Sequence, residues 1–160
     1  MHDFPQPPLP WKSHPLVRSG GLVGAGFADD TDMLLVVTHD GRGVIDCLSG
    51  TLIARDSDPD FPLDEDSLKV AGIGPLAGQQ ITIAGEIYGG SLLNTTNDGW
   101  ALTGKLTNSS NDVVTLAPPP DTGDDFKFTD FIPEIRVFGF SPTGRSFIIG
   151  TGADVSIFAR

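Results

Sequence analysis

Apolar residues recur along this chain in short runs of strand length, interrupted at close intervals by Gly, Asn, Asp or Pro. Met33-Leu34-Leu35-Val36-Val37-Thr38 is rich in β-branched residues, and His39-Asp40-Gly41-Arg42 follows with the Asp-Gly pair that supplies positive φ in a tight hairpin turn. Gly43 to Leu48 returns, Ser49-Gly50 turns again, and Thr51-Leu52-Ile53-Ala54-Arg55 makes a third strand, giving a meander. The same grammar recurs. Gln80 to Ile87 alternates apolar and polar residues, Leu92 to Thr95 pairs forward, and Asn97-Asp98-Gly99 turns into Trp100 to Leu106. A last unit runs from Arg136 to Phe140, turns at Pro142-Thr143-Gly144, continues from Ser146 to Gly150, turns at Gly152-Ala153 and ends with Asp154 to Phe158.

Strand-length runs at this spacing predict an all-β chain of antiparallel meanders, arranged as small blade-like sheets or closed into a barrel or sandwich. Helix-forming residues are scarce, with only three glutamates and four lysines. The one helical turn the pattern admits is at residues 62–68, where acidic side chains would face a helix N-terminus. Residues 1–20 carry Pro5, Pro7, Pro8, Pro10 and Pro15, which predicts an extended strap ahead of a single domain over 21–160. Phe4, Leu9, Trp11, Leu16 and Val17 are too apolar for a free tail, so the strap is expected to lie across the domain.

Residues 138–158, from Phe138-Gly139-Phe140-Ser141-Pro142-Thr143-Gly144 through Phe147-Ile148-Ile149 to Val155-Ser156-Ile157-Phe158, resemble a blade of the WD-repeat type of β-propeller. A looser echo covers 26–46. In that family a Phe-Ser-Pro-Asp-Gly-like turn opens an inner hairpin and an apolar-aromatic strand closes it. Phe158 stands where the family favours Trp, and no Gly-His pair opens the unit. At about 40–45 residues per blade the chain has room for three or four sheets. The resemblance implies a platform for protein binding and no chemistry of its own.

Composition narrows the function classes. Leu, Val, Ile and Phe make up 29% of the 160 residues, enough for a packed core. The formal charge is −11, with 21 acidic against 10 basic side chains, which repels nucleic-acid phosphates and anionic lipid and attracts basic partners. No apolar run is long enough to cross a membrane as a helix, and the first residues lack the basic start of a secretory signal, so the expected location is the cytoplasm. One cysteine, Cys47, allows no internal disulfide, and the histidines His2, His14 and His39 are scattered, so neither a nitrogen–sulfur metal site nor any cofactor is expected.

The densest chemical feature is the segment 56–66, where Asp56, Asp58, Asp60, Asp64, Glu65 and Asp66 stand without a base among them. Aspartates at alternate positions begin a calcium loop, but Phe61 occupies the place of the required Gly and Ser67 that of the closing Glu, leaving a solvated acidic loop as the simpler reading. Asp29, Asp30 and Asp32 form a second cluster. If both share a face they make a patch that steers a basic partner; otherwise they are turn aspartates bonding their own backbone. Trp100, directly after a turn, is either a partner anchor or a core residue. No Gly-x-Ser-x-Gly elbow is present, and Cys47 and His39 fall at opposite ends of one strand. The first functional expectation is a non-enzymatic interaction protein, in concrete form an acidic inhibitor or immunity-type factor, with Asp29, Asp30, Asp32, Asp56, Asp58, Asp60, Asp64, Asp66 and Trp100 meeting a basic protein. The alternative is a carbohydrate- or small-ligand-active hydrolase using a carboxylate pair, for which Glu65, Glu86 and Glu134 are available, with an exposed Trp or Tyr88. A third is a subunit whose strand edges a neighbour covers.

Overall fold

A computed structural model describes residues 6–61, 63–64, 66–85, 91–105, 112–128 and 135–160. The chain is all-β, as its periodicity predicts, and every strand pairing is antiparallel. In chain order the strands are β1 (Lys12–Ser13), β2 (Val17–Arg18), β3 (Leu22–Phe27), β4 (Met33–Thr38), β5 (Gly41–Asp46), β6 (Thr51–Asp56), β7 (Leu63–Asp64), β8 (Lys69–Ala71), β9 (Gln80–Thr82), β10 (Ala101–Lys105), β11 (Val113–Ala117), β12 (Phe126–Phe128), β13 (Ile135–Phe140), β14 (Ser146–Thr151) and β15 (Asp154–Ala159). They form four separate sheets: β3-β4-β5-β6, β7-β8-β9, β10-β11-β12, and β13-β14-β15 with β1 and β2 added beside β15. No barrel closes among the described residues, so that form of the expectation falls away.

The sheets share three apolar clusters that place them in one stack. In β4, Leu34 and Val36 pack with Ile148, Val155 and Ile157 of the last sheet, whereas Leu35 and Val37 pack with Val70 and Ile81 of the β7-β8-β9 sheet. In β14, Ile148 faces β4 while Phe147 and Ile149 join Leu102, Val114, Leu116 and Phe128 of the β10-β11-β12 sheet. Successive side chains of a strand point to opposite faces, so a strand covered on both sides must be apolar throughout. That is why β4 and β14 read as unbroken runs. The outer sheets alternate instead: Val114 and Leu116 of β11 are buried, and Val113, Thr115 and Ala117 between and beside them are half-buried.

The inner edges are joined by irregular segments. Ala25 of β3 and Ala84 exchange two backbone hydrogen bonds of 2.9 Å, and Phe140 of β13 donates to the Leu93 carbonyl at 2.7 Å. Gly26 is required here, because a Cβ at that position would stand 2.0 Å from the Thr82 carbonyl oxygen. β12 is the edge strand of its sheet; it pairs with β11 and buries Phe128.

The helical turn expected at 62–68 is a correction. Leu63 and Asp64 lie in strand β7, paired to Val70 and Lys69, and the Asp64 carboxylate accepts the N–H groups of Asp66 and Ser67. The acid meets the unpaired donors that a helix N-terminus would offer, but inside a hairpin turn closed by Leu68 at φ 57. The single helical element among the described residues is a 3₁₀ turn at Gly74–Leu76.

Residues 6–18 add to the edge of the last sheet. Lys12 and Ser13 pair with Ala159 and Phe158, Val17 and Arg18 with Val155 and Asp154, and Trp11 is buried in the aromatic cluster while Leu9 stays exposed. The guanidinium of Arg160 lies 4.7 Å over the Trp11 ring and binds the Asp98 carboxylate through two nitrogens at 2.6 and 2.8 Å. Hydrogen bonds from Arg160 and then from the Thr96 hydroxyl hold the Asp98 carboxyl well below the usual carboxylate range. A depressed folded value contributes stability that is complete above the unfolded value of about 3.9 and is lost as the pH falls below it. The wild type is therefore expected to melt above Asp98→Asn at pH 7, with the difference shrinking through pH 4 toward pH 2; a gap that widens on acidification contradicts the assignment.

Candidate functional site

The structure disperses the acidic residues that the sequence groups together. Asp29 and Asp30 are exposed in the β3–β4 turn, and Asp32, two residues on, is buried. The Asp32 carboxylate accepts hydrogen bonds from the hydroxyls of Thr143, at 2.8 and 3.0 Å, and Ser146, and its carbonyl accepts the Cys47 N–H. Its charge is thus engaged inside the molecule, where it joins the β3–β4 turn to the turn between β13 and β14. No external partner can reach it without taking these bonds apart.

The two acidic clusters do not share an end of the fold. Met33 pairs with Asp46, and Asp46 with Thr51, at the end of the meander that carries Asp29 and Asp30. At the other end Thr38 pairs with Gly41 and Arg42 with Asp56, where the chain leaves β6 toward Asp58 and Asp60. A six-residue strand separates the ends by roughly 17 Å or more. The two clusters therefore stand a strand length apart, at opposite ends of one meander.

What the structure does offer is an edge strand, β6, with exposed aliphatic residues near its start and an acidic loop after its end. β6 is the last strand of its sheet, so among the described residues one edge of its backbone has no strand beside it. Leu52 and Ile53 are each 42% exposed on it, an unusual position for two adjacent branched aliphatic residues. Beyond them the aspartates order their own loop: the Asp56 carboxylate accepts the Asp58 N–H, and that of Asp58 accepts the Asp60 N–H. Asp56 also meets Arg42 at 3.3 Å, whose guanidinium lies 5.3 Å from the Phe61 ring centre. Asp58, Asp60, Asp64 and Asp66 are exposed and have no ion pair among the described residues. The hydroxyl and N–H of Ser67, with the Asp66 N–H, hold the Asp64 carboxyl below its ordinary range, so it keeps its charge in mildly acid solution. Sequence reading found the acids and the strand but missed Leu52 and Ile53 as surface residues, since their pattern is that of any half-buried strand; the run of acids directly after them was the available signal.

The remaining candidates fall elsewhere. Trp100 is 7% exposed and meets Trp11 edge to face at 5.6 Å, as a core residue does. No protein-family model matches the chain, and no curated protein does. Its function must therefore be argued from its own geometry. Among the described residues no group of three or more His, Cys, Asp and Glu side chains is placed to hold a metal, and no helix is long and apolar enough to cross a membrane. Glu65, Glu86, Glu134 and Tyr88, on which the hydrolase reading draws, lie outside the described residues.

Cys47 is buried, and burial, reinforced by the charges of Asp32 and Asp46, pushes its thiol far above the usual range. A thiolate is the reactive form, so the folded protein is expected to resist iodoacetamide at pH 8 and to be alkylated at the rate of a free cysteine in denaturant. Rapid labelling of the native state would mean that β5 opens readily.

Proposed function

We propose that this chain is a non-enzymatic protein-interaction module that docks a basic partner along β6 and the acidic residues that follow it. The observation that carries the reading is a single edge strand that exposes Leu52 and Ile53 near its start and leads at its other end into four carboxylates without ion pairs among the described residues. The two parts do different work. An exposed ion pair contributes about 0–1 kcal/mol, so the aspartates chiefly accelerate encounter and select a cationic surface. Leu52 and Ile53 are already more than half covered, so burying the rest contributes about 1 kcal/mol each, comparable to the carboxylates together. A partner strand pairing with β6 would satisfy the open backbone groups at the same time.

In its concrete form the module is a small acidic inhibitor or immunity-type protein of the cytoplasm, whose negative loop occupies the nucleic-acid or substrate surface of a cationic target. The four stacked meanders support the resemblance to propeller blades, a scaffold suited to presenting strand edges and loops.

Capture from the native lysate, with identification of what binds at low and at high salt, tests the proposal. The expected partner is basic, released by salt, and lost from both L52D/I53D and D58N/D60N/D64N/D66N. Asparagine retains the oxygen that bonds the backbone at Asp58 and Asp64, so the second variant removes charge while keeping the loop. An acidic partner, or a basic one indifferent to both variants, would defeat the proposal.

A further inference from the structure

A cavity of about 230 Å³ opens between β2 and the face of the β3-β4-β5-β6 sheet that looks toward it. Its origin is legible in β5, where Gly43 leaves the wall without a side chain and Gly41 beside it, at φ 130, has room for none because a Cβ would stand 2.0 Å from the Asp56 carbonyl oxygen. Arg42 contributes no charge to it: its guanidinium is on the opposite face, bonded to the Ala71 carbonyl and to Asp56. The apolar part of the wall comes from Val17, Val36, Ile45 and Leu52.

The polar part is cationic. Arg18 from β2 and Arg55 from β6 both line the cavity, and neither guanidinium has a hydrogen bond or ion pair to another described residue. Arg55 is the register partner of Gly43, and Leu52 that of Ile45, which puts both side chains on the cavity face. Two arginines without side-chain partners on one cavity wall are a local reversal in a chain of charge −11. Independently, Ser19 lines the same cavity, is 92% buried, and its hydroxyl has no hydrogen-bond partner. That oxygen is closed off from the cavity as the side chain stands, and a rotation about χ1 would turn it toward a bound acceptor.

We propose that this cavity binds a small organic monocarboxylate, its head between Arg18, Arg55 and Ser19 and its short apolar body over the glycine floor. Guanidinium and hydroxyl donors suit carboxylate and phosphate alike. Two observations favour the singly charged head: Asp40 stands at the cavity wall, and the overall negative field opposes each added charge. The volume lies below the usual 300–1,000 Å³ of ligand pockets, which limits the body to a few carbons. The site shares Leu52 and Arg55 with β6 and so with the partner surface proposed above; R18Q and G43A, which leave the residues of that surface unchanged, test it apart.

The test is titration of acetate, butyrate, hexanoate and inorganic phosphate into the ¹⁵N-labelled 160-residue chain, read from backbone amide shifts. Saturable shifts are expected at Ser19, Gly41, Gly43 and Arg55, with the dissociation constant falling about fourfold per added methylene until the floor is covered. R18Q and R55Q, at exposed positions, should each weaken hexanoate binding about tenfold or more. R145Q, an exposed arginine remote from the cavity wall, should change nothing. Gly43→Ala places a methyl on the floor with only the movable Leu52 side chain 3.2 Å away, and should block the longer acids while preserving the rest of the spectrum. Tighter binding of phosphate than of hexanoate, equal losses in R145Q and R55Q, or shifts absent or scattered over the surface would each overturn the proposal.

Discussion

Replacing Trp11 by alanine is expected to lower the unfolding free energy by about 3–5 kcal/mol, the largest single loss anticipated in this protein. The indole is 1% exposed and touches Trp100, Phe140 and Phe147, with ring centres 5.6, 5.9 and 4.8 Å away. Its removal leaves a hole at the centre of the aromatic cluster and deprives β1 of its anchor, since only two residue pairs hold that strand to β15. The Trp11 N–H, buried without a hydrogen-bond partner, separates packing from polarity. Trp11→Phe keeps most of the aromatic surface and removes that unpaired donor, so it should cost less than half as much. Denaturant midpoints of the two variants decide the matter, and equal losses would show that shape, and not aromatic burial, is what the site demands.

Asp32→Ala is the second large effect, with an expected loss of about 2–4 kcal/mol. Hydrogen bonds to a charged group are worth about 1.5–3 kcal/mol, and their removal strands the Ser146 hydroxyl, which is fully buried, without its acceptor. Because Asp32 bridges two sheets, the loss should appear as earlier unfolding of the whole chain, measured by urea titration, and not as local fraying. Asp32→Asn retains the shape and one acceptor and should recover part of the difference. A wild-type midpoint for Asp32→Ala would mean that the Asp32 to Thr143 and Ser146 contacts contribute nothing net, and would return Asp32 to the pool of residues free to meet a partner.

These two residues mark the boundary between what local pattern shows and what it hides. Trp11 sits in a proline-rich stretch, and its apolar character told against a free tail; that it inserts beside Phe147 depended on β15 being at hand to receive β1 and β2. Asp32 reads as a turn aspartate like Asp29 and Asp30. Its different fate follows from the Thr143 and Ser146 hydroxyls, which come to it from a distant turn in the sequence.

The strands and turns of the first and last meanders, their antiparallel pairing and the acidic run after β6 were determined by the sequence alone, because side-chain alternation and turn chemistry act over a few residues, whereas β1, β2, β7, β8 and β11 were not legible in it. The order of sheets in the stack, the separation of the acidic clusters to opposite ends of a meander, and the hollow above Gly41 and Gly43 were decided only by the tertiary structure. Those depend on which apolar faces meet, and any strand with the right alternation can offer the same face to several partners until the whole chain packs.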